Sequence, residues 1–544
     1  MKRYFPYLFI IVIASGLFFH SLGKVHLFDW DEINFAESAR EMMETGNYFR
    51  VQINYEPFWE KPPFFFWLQV ASMKIFGVNE FAARFPNALC GIATLLVLFA
   101  IGKRLHNVRF ATWWVLIYAA TFLPHVYFKS GIIDPWFNLF IFLGLYFLVC
   151  FLSEQQLQQR KRADLVLSAL FTGLAVLTKG PVAILVVFLS YLLFLLFNHG
   201  KGRALFRDYL IWGLCLSAVT LLWFGLEILQ HGWWFVNEFI TYQIRLAKTK
   251  DAGHGGFLLY HFVVVLIGCF PASLLIFRFR NREQEQEKAL LFRKMMIASL
   301  LVILIVFTIV KTKIVHYSSF TYLPIGYLAA STLYGVVHKT AYLKKWQELG
   351  LLVLGLIWSA LFIALPLVGN NIEWIRPFLS KDAFALANTQ ALVKWHAADV
   401  LPGVLFLGAV ITSFVWIKQQ QYQKAFILLM LSSIAAIQVL LTLFTPRIEQ
   451  YSQHAAIDFF KRLKDQKVYV KTLGYKSYAQ YFYTSIRPGN NALSKDESWL
   501  LTGAVDRPVY FVSKNTYTRD LMNVYGAHLE ILYEKNGYVF YRRK

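Results

Sequence analysis

Charge is what this chain has least of. Asp, Glu, Lys and Arg make up 16% of its 544 residues, against 57% hydrophobic and 18% aromatic ones. A soluble domain keeps about a quarter of its residues charged. With mean hydropathy at +0.47, that class is excluded, and a polytopic membrane protein is what the composition predicts. Acids are scarcer still: 32 Asp and Glu stand against 54 Lys and Arg, a net charge of +22. The basic residues are scattered between apolar runs and no nucleic-acid module is present. Nucleic-acid binding is therefore rejected, and the preference of cytoplasmic loops for Lys and Arg accounts for much of the excess. Cysteine is nearly missing. Cys90, Cys150, Cys215 and Cys269 each fall inside an apolar run without Cys-x-x-Cys spacing, which argues against a disulfide framework or a zinc site. There is also no internal repeat, no low-complexity tract and no glycine-rich phosphate fingerprint.

What is there in quantity is long apolar runs. They predict thirteen membrane-spanning helices, at residues 5–22, 80–102, 110–124, 132–152, 164–178, 182–198, 209–228, 258–277, 294–311, 319–337, 347–367, 401–418 and 424–445. The first is read as a retained helix rather than a cleaved leader. Basic loops alternate along the chain: Lys103, Arg104 and Arg109; Arg160 to Arg162; Lys201, Arg203 and Arg207; Arg278 to Lys294; Lys339, Lys344 and Lys345; Lys418 and Lys424. The positive-inside rule puts these loops and the N-terminus in the cytoplasm. The connections 23–79, 229–257 and 369–400, and everything after 446, then lie outside. Residues 1–446 are expected to form a transmembrane catalytic domain, with interfacial helices in the loop 23–79. From 447 to 544 the composition changes. Short strands at 467–470, 508–512 and in the final LEILYEKNGYVFYRR, with helices between, predict a small extracytoplasmic α/β domain.

The most polar external stretch runs from Asp29 to Trp67. Asp29, Asp31 and Glu32 lie just beyond the first run, and a helical pattern follows to a stop at Gly46-Asn47. Glu60-Lys61-Pro62-Pro63 then sits between Trp59 and four aromatics, its backbone stiffened by two prolines. Further charged groups recur at helix ends on the same side. Asp134 precedes Pro135 and suits both an N-cap and a functional acid. Lys179 lies in Thr178-Lys179-Gly180-Pro181, where a snorkelling lysine in a tight turn is the plainer reading. Arg245 and His254 occupy the loop 229–257. Lys311 and Lys313 with His316 and Tyr317 end the ninth span, where basic residues run against positive-inside and point to a local anion. Taken singly these groups read as solvated loops, caps or turns. Taken together they gather cations opposite carboxylates on one membrane face. That is the equipment for transferring a sugar from a polyprenyl phosphate: fixed Lys and Arg stabilise the leaving phosphate, and a carboxylate takes the acceptor's proton. Phe64 to Trp67, Trp233 and Trp234 are candidates to line a prenyl groove, or belong to an ordinary aromatic belt.

These motifs resemble the aminoarabinose lipid A transferases and related bacterial members of the protein O-mannosyltransferase-like group, within glycosyltransferase superfamily C. The pattern is Asp31-Glu32 before a helix with Ala39-Arg40-Glu41-Met42, then EKPP with aromatics, Asp134 beside Pro135, LTKGPV, and KTK…HY…LP. The resemblance implies thirteen transmembrane helices with a periplasmic α/β domain, an inner-membrane location, and transfer of one monosaccharide from undecaprenyl phosphate to lipid A or, by the same chemistry, to a protein or glycan. It implies no cofactor and no dedicated metal cage. Carried over residue by residue, Asp31 is the acid of the first motif with Glu32 beside it, and Asp134 is a second acid. Lys61 and Arg245 are ligands of the lipid phosphate, and Tyr317 lies close to it. Lys179, Lys311 and Lys313 complete the cationic set, and Asp29, Glu60, His254 and His316 are further candidates. The aminoarabinose enzymes continue Asp-Glu-Ala-Arg-Tyr where this chain has Asp31-Glu32-Ile33-Asn34-Phe35, a departure that leaves sugar and acceptor open. The expected protein acts as a monomer. A transporter or flippase, which would show inverted repeats and midplane charges, and a non-catalytic lipid-binding protein of the same fold are the alternatives.

Overall fold

A computed structural model describes residues 4–153, 161–249, 255–277, 279–280, 286–487 and 491–544. Backbone in hydrocarbon must satisfy its own hydrogen bonds, so an apolar run with no strand partner becomes a helix. Each expected span contains one. Eight helical stretches among the described residues are long and apolar enough to cross a bilayer, including Glu80–Leu105, Asp134–Leu152, Phe206–His231 and Val315–Val337. The other spans hold shorter or more charged helices, such as Val108–Ala119 with 12 residues, about 18 Å at 1.5 Å per residue. The expected span 258–277 is interrupted: its helix Tyr260–Gly268 stops before Pro271, and a 3-10 turn Ala272–Leu275 follows. A proline removes the donor a continuing helix would need. Length and apolarity thus mark eight of the thirteen expected spans among the described residues as able to cross by themselves.

Where loop 23–79 was expected to carry interfacial helices, the Asp31–Thr45 helix is sunk in protein instead. Every residue from Glu32 to Met42 is buried, and Gly46 at φ 70° ends it, a left-handed cap that suits glycine. Ile33, Phe35, Ala36 and Ala39 share one core with Phe65 and Phe66 and with Ala455, Ile457, Phe460, Phe482 and Phe540 from the C-terminal region. With its middle covered on all sides from Glu32 to Met42, the helix leaves only its ends exposed and has no apolar face to lay on a lipid surface, so the interfacial reading fails here.

The C-terminal region carries the expected strands, Tyr469–Leu473, Val509–Lys514, Leu529–Lys535 and Tyr538–Arg543. In space the fourth strand lies between the second and third. The first two pair in parallel, and the other pairs are antiparallel. One set of its apolar residues, including Val512 and Phe540, faces the Asp31–Thr45 helix; another, with Phe511, Leu521 and Tyr541, packs beneath its own helices. The last apolar helix runs on through Gln450, directly into this region. Polar contacts pin the junction: the Leu27 amide donates to the Tyr483 hydroxyl at 2.7 Å and Gln453 donates to the Leu27 carbonyl at 2.7 Å. The Asp29 carboxylate accepts from the Ser477 hydroxyl and, at 3.5 Å, from the Tyr478 amide.

Burial pushes the Asp29 carboxyl up to about 6, against the opposing pull of its Ser477 and Tyr478 hydrogen bonds. A raised carboxyl favours the folded state most when protonated, so its contribution is full below the unfolded value of 3.8 and is lost as pH rises through about 6. Asp29→Asn keeps the hydrogen-bonding shape without the charge. In detergent, the melting temperature of the variant relative to the parent should rise between pH 4 and 7 and level off above; a pH-independent difference would contradict this assignment.

Candidate active site

Two neighbouring acids on one helix separate at once. Glu32 and Arg84 are 5% and 4% exposed and form a two-pronged pair, with Arg84 Nε donating to Oε1 at 2.9 Å and Nη2 to Oε2 at 2.7 Å. The Phe28 and Gly131 amides fill the other sites on that carboxylate, at 2.9 and 2.5 Å. Arg84 also donates to the carbonyls of Leu22, Val25 and His26. Burial by itself would raise the Glu32 carboxyl, but the Arg84 charge and these four donors outweigh it and hold it below the usual carboxylate range. A carboxylate with every oxygen occupied is no base. Glu32, expected as catalytic, is instead the tie that holds the first loop to the Glu80–Leu105 helix and to Gly131. Asp31, one residue earlier and rotated about 100° round the helix, keeps a side chain 37% exposed, with His316 Nε2 3.5 Å from its carboxylate.

Asp134 stands three residues beyond Gly131. It is the first residue of the Asp134–Leu152 helix rather than its cap, and it is 1% exposed. Its Oδ1 accepts from Lys179 Nζ at 2.6 Å and from the Ser319 hydroxyl at 3.1 Å, and Asn138 donates to Ser319 at 3.0 Å. Lys179 therefore does not snorkel into solvent: its ammonium is paired, and lies 5.5 and 5.7 Å from the Phe137 and Tyr317 rings. The turn that aims it requires glycine. Gly180 sits at φ +99°, and a Cβ there would lie 2.3 Å from the Phe239 ring. Beside Asp31, the charges of Asp134, Lys179 and Lys61 also act on His316.

Lys61 and Arg245, distant in sequence, converge on Tyr242. The Lys61 ammonium is 5.4 Å and the Arg245 guanidinium 5.1 Å from its ring centre. Tyr242 and Arg245 are three residues apart on the Trp234–Lys248 helix, and so lie on one face. That helix is held down by Phe235 and Phe239, which pack with Leu177 and Trp223 against Phe64, Trp67 and Trp234. Of the aromatics after EKPP, only Phe64 and Trp67 reach this apolar cluster; Phe65 and Phe66 turn the other way to Phe35, at 6.0 and 5.6 Å. Trp233 is exposed and Trp59 meets Trp234 edge-on at 5.6 Å.

The remaining candidates divide. Lys313 is buried and donates to the carbonyls of Phe307 and Thr308 at 2.8 and 2.7 Å, capping the Glu287–Ile309 helix. Its charge is spent on that helix end and not on a ligand, which corrects its assignment to the phosphate. Lys311 is exposed and Glu60 half-buried. Asp29 belongs to the C-terminal contact described above, and His254 lies outside the described residues. Sequence reading missed Arg84, Ser319, Asn138 and Tyr242. Arg84 alone carried a signal, as an arginine near the start of an apolar span, where an unpaired charge is costly.

Removing one partner of a buried ion pair strands the other, at a cost of about 3–5 kcal/mol. Glu32→Gln should therefore lower thermal stability in detergent sharply, whereas Asp31→Asn should leave it within error. Equal, small effects of both would contradict the division of roles between these neighbours.

Residues 60–225 match the family described as dolichyl-phosphate-mannose-protein mannosyltransferase. An uncharacterized protein of Aquifex aeolicus (strain VF5) is 26% identical over 374 residues, 67% of this chain and 69% of that one. The undecaprenyl phosphate-alpha-4-amino-4-deoxy-L-arabinose arabinosyl transferase of Shewanella sediminis (strain HAW-EB3) is 26% identical over 261 residues, 47% of this chain and 46% of that one. The match thus spans about half the length of that relative. The fold likeness covers nearly everything: ArnT from Cupriavidus metallidurans, crystallised with undecaprenyl phosphate, superposes with a TM-score of 0.76 over 98% of this chain and 97% of that one, at 18% identity. The resemblance read from the motifs is thus met by a family match over residues 60–225 and by a likeness of fold to ArnT along nearly the whole chain.

Proposed function

We propose that the protein is an inverting glycosyltransferase, moving one monosaccharide from undecaprenyl phosphate to a lipid A-type acceptor on the outer face of the inner membrane. The observation that carries this reading is the convergence of Lys61 and Arg245 on the ring of Tyr242. A phosphate bound within reach of both would be attracted to each of these positive charges. The donor is a phosphodiester with one negative charge. As its glycosidic C–O bond breaks, the electron pair stays on the phosphate oxygen and a second charge develops there. A guanidinium fork and an ammonium fixed in advance stabilise that charge more in the transition state than in the bound donor. The apolar cluster of Phe64, Trp67, Trp223 and Phe235 beside them offers the prenyl chain a surface of the right chemistry.

On the acceptor side, the attacking oxygen bonds the anomeric carbon from the face opposite the leaving phosphate. Asp31, exposed beside His316, is the carboxylate placed to receive a proton from that oxygen. Asp134 is not: with Lys179 and Ser319 on it, it positions Lys179 near Tyr317 and the site. A lipid A phosphate, already an anion near neutral pH, needs cations more than a base. A protein or glycan hydroxyl needs the base. The open Asp31–His316 arrangement is the one feature that favours the second reading.

The test is transfer from a radiolabelled undecaprenyl-phosphate sugar in proteoliposomes. Lys61→Ala and Arg245→Ala should each lose about 10²–10³ in rate, ~2–4 kcal/mol of transition-state stabilisation, at unchanged melting temperature. Near-full transfer by either variant would remove that residue from the phosphate site. In the same assay a mild effect of Asp31→Asn fits a phosphate acceptor, and a severe one with intact donor binding favours a hydroxyl.

A further inference from the structure

Away from the catalytic cluster, three residues from opposite ends of the chain meet. His26 leads into the acidic stretch, Glu449 closes the last apolar helix, and His454 opens the first helix of the C-terminal region. Glu449 is 3% exposed. Its Oε1 lies 3.0 Å from His26 Nδ1 and its Oε2 2.9 Å from His454 Nδ1. One potential ligand atom from each of the three residues falls within a set whose members are all within 4.8 Å of one another.

We propose that His26, Glu449 and His454 bind one divalent transition-metal ion, with zinc the best fit to the donor set. Two imidazoles and one carboxylate are a recurrent zinc set, and imidazole nitrogen rules against the hard cations calcium and magnesium. Ligands bonded at ~2.0 Å in a tetrahedron stand about 3.3 Å apart; each Glu–His separation, to a different Glu449 oxygen, is within a few tenths of an ångström of that, and the set, spread over no more than 4.8 Å, has to close by at most about 1.5 Å. A carboxylate behind the ligand shell completes the pattern. Asp458 Oδ2 is 3.4 Å from His454 Nε2, where it would take that ring's remaining N–H and leave Nδ1 free to coordinate. Asp458 is itself held 3.7 Å from Lys535. Three protein ligands leave a fourth position for water. Binding requires both ligating nitrogens unprotonated, so any proton shared between an imidazole and Glu449 goes to solvent as the metal enters.

No sequence spacing marks this site, since His26 and Glu449 are 423 residues apart, and it departs from the expectation that the protein needs no metal. Its place gives it a structural role. The His26 carbonyl accepts from Arg84 Nη2 at 2.9 Å, so the ion would brace the segment entering Asp29–Glu32 against both the membrane helices and the C-terminal region.

The experiment uses the full-length protein in detergent, stripped with a chelator and titrated with zinc chloride. Bound metal is counted by mass spectrometry, and melting temperature is recorded with and without zinc. The proposal expects one zinc per chain, a zinc-dependent rise in melting temperature, and proton release on binding. Glu449→Gln and His454→Asn should each bind at least tenfold more weakly and lose the rise, while the zinc-free melting temperature of at least one stays near the parent's. Zinc uptake and stabilisation equal in parent and variants, or no uptake by the parent, would overturn it.

Discussion

The Glu32–Arg84 pair is the constraint on which the geometry of the site depends. It is buried on both sides and uses both guanidinium prongs and both carboxylate oxygens. Such a pair is poor evidence for net stability, because desolvation consumes most of its attraction. Its value here is positional. One end fixes the residue next to Asp31; through the Gly131 amide it also fixes the loop three residues before Asp134; and Arg84 gathers three carbonyls of the segment 22–26. One buried carboxylate thus bonds to the backbone close to Asp134 and stands next to Asp31, two residues from separate parts of the chain.

Around that frame the cations take different work. Lys179 is spent on Asp134 and Lys313 on a helix end, whereas Lys61 and Arg245 share a ring and lie beside an apolar surface. A net surplus of positive charge at a membrane surface is thus divided by packing: two lysines are bound to protein acceptors, and the proposed phosphate ligands meet at one aromatic ring. Gly180 shows how finely: with any side chain there, Phe239 could not approach, and the helix that carries Tyr242 and Arg245 would ride higher over Lys179. The C-terminal region closes the other side of the same unit, with Ser477 and Tyr483 bonded into the segment 27–29.

Much of this was legible in the residues. Apolar runs must be helical in hydrocarbon, so helices were found where hydropathy put them, and the three stretches read as strands mark the four C-terminal strands, the last of them folding into two. EKPP and LTKGP marked Lys61 and Lys179 because prolines and a glycine fix backbones that a plain loop would leave free. The errors have one origin, long-range pairing. Asp31 and Glu32 are equivalent in sequence, and only Arg84, 52 residues on, decides which of them faces water. Lys311 and Lys313 look alike until Lys313 is seen bonded to the end of the Glu287–Ile309 helix. The Asp31–Thr45 helix looks interfacial until the C-terminal region covers it. Periodicity reports one helix at a time and carries no information on what packs against it.

The lipid A mass spectrum of a host expressing this protein tests the central claim most directly. With the host's own lipid A glycosyltransferases deleted and an undecaprenyl-phosphate sugar supplied, the lipid should gain the mass of one sugar residue, and the gain should vanish with Lys61→Ala at equal protein levels. Unmodified lipid A alongside newly glycosylated protein, or no glycosylated product at all, would contradict the account.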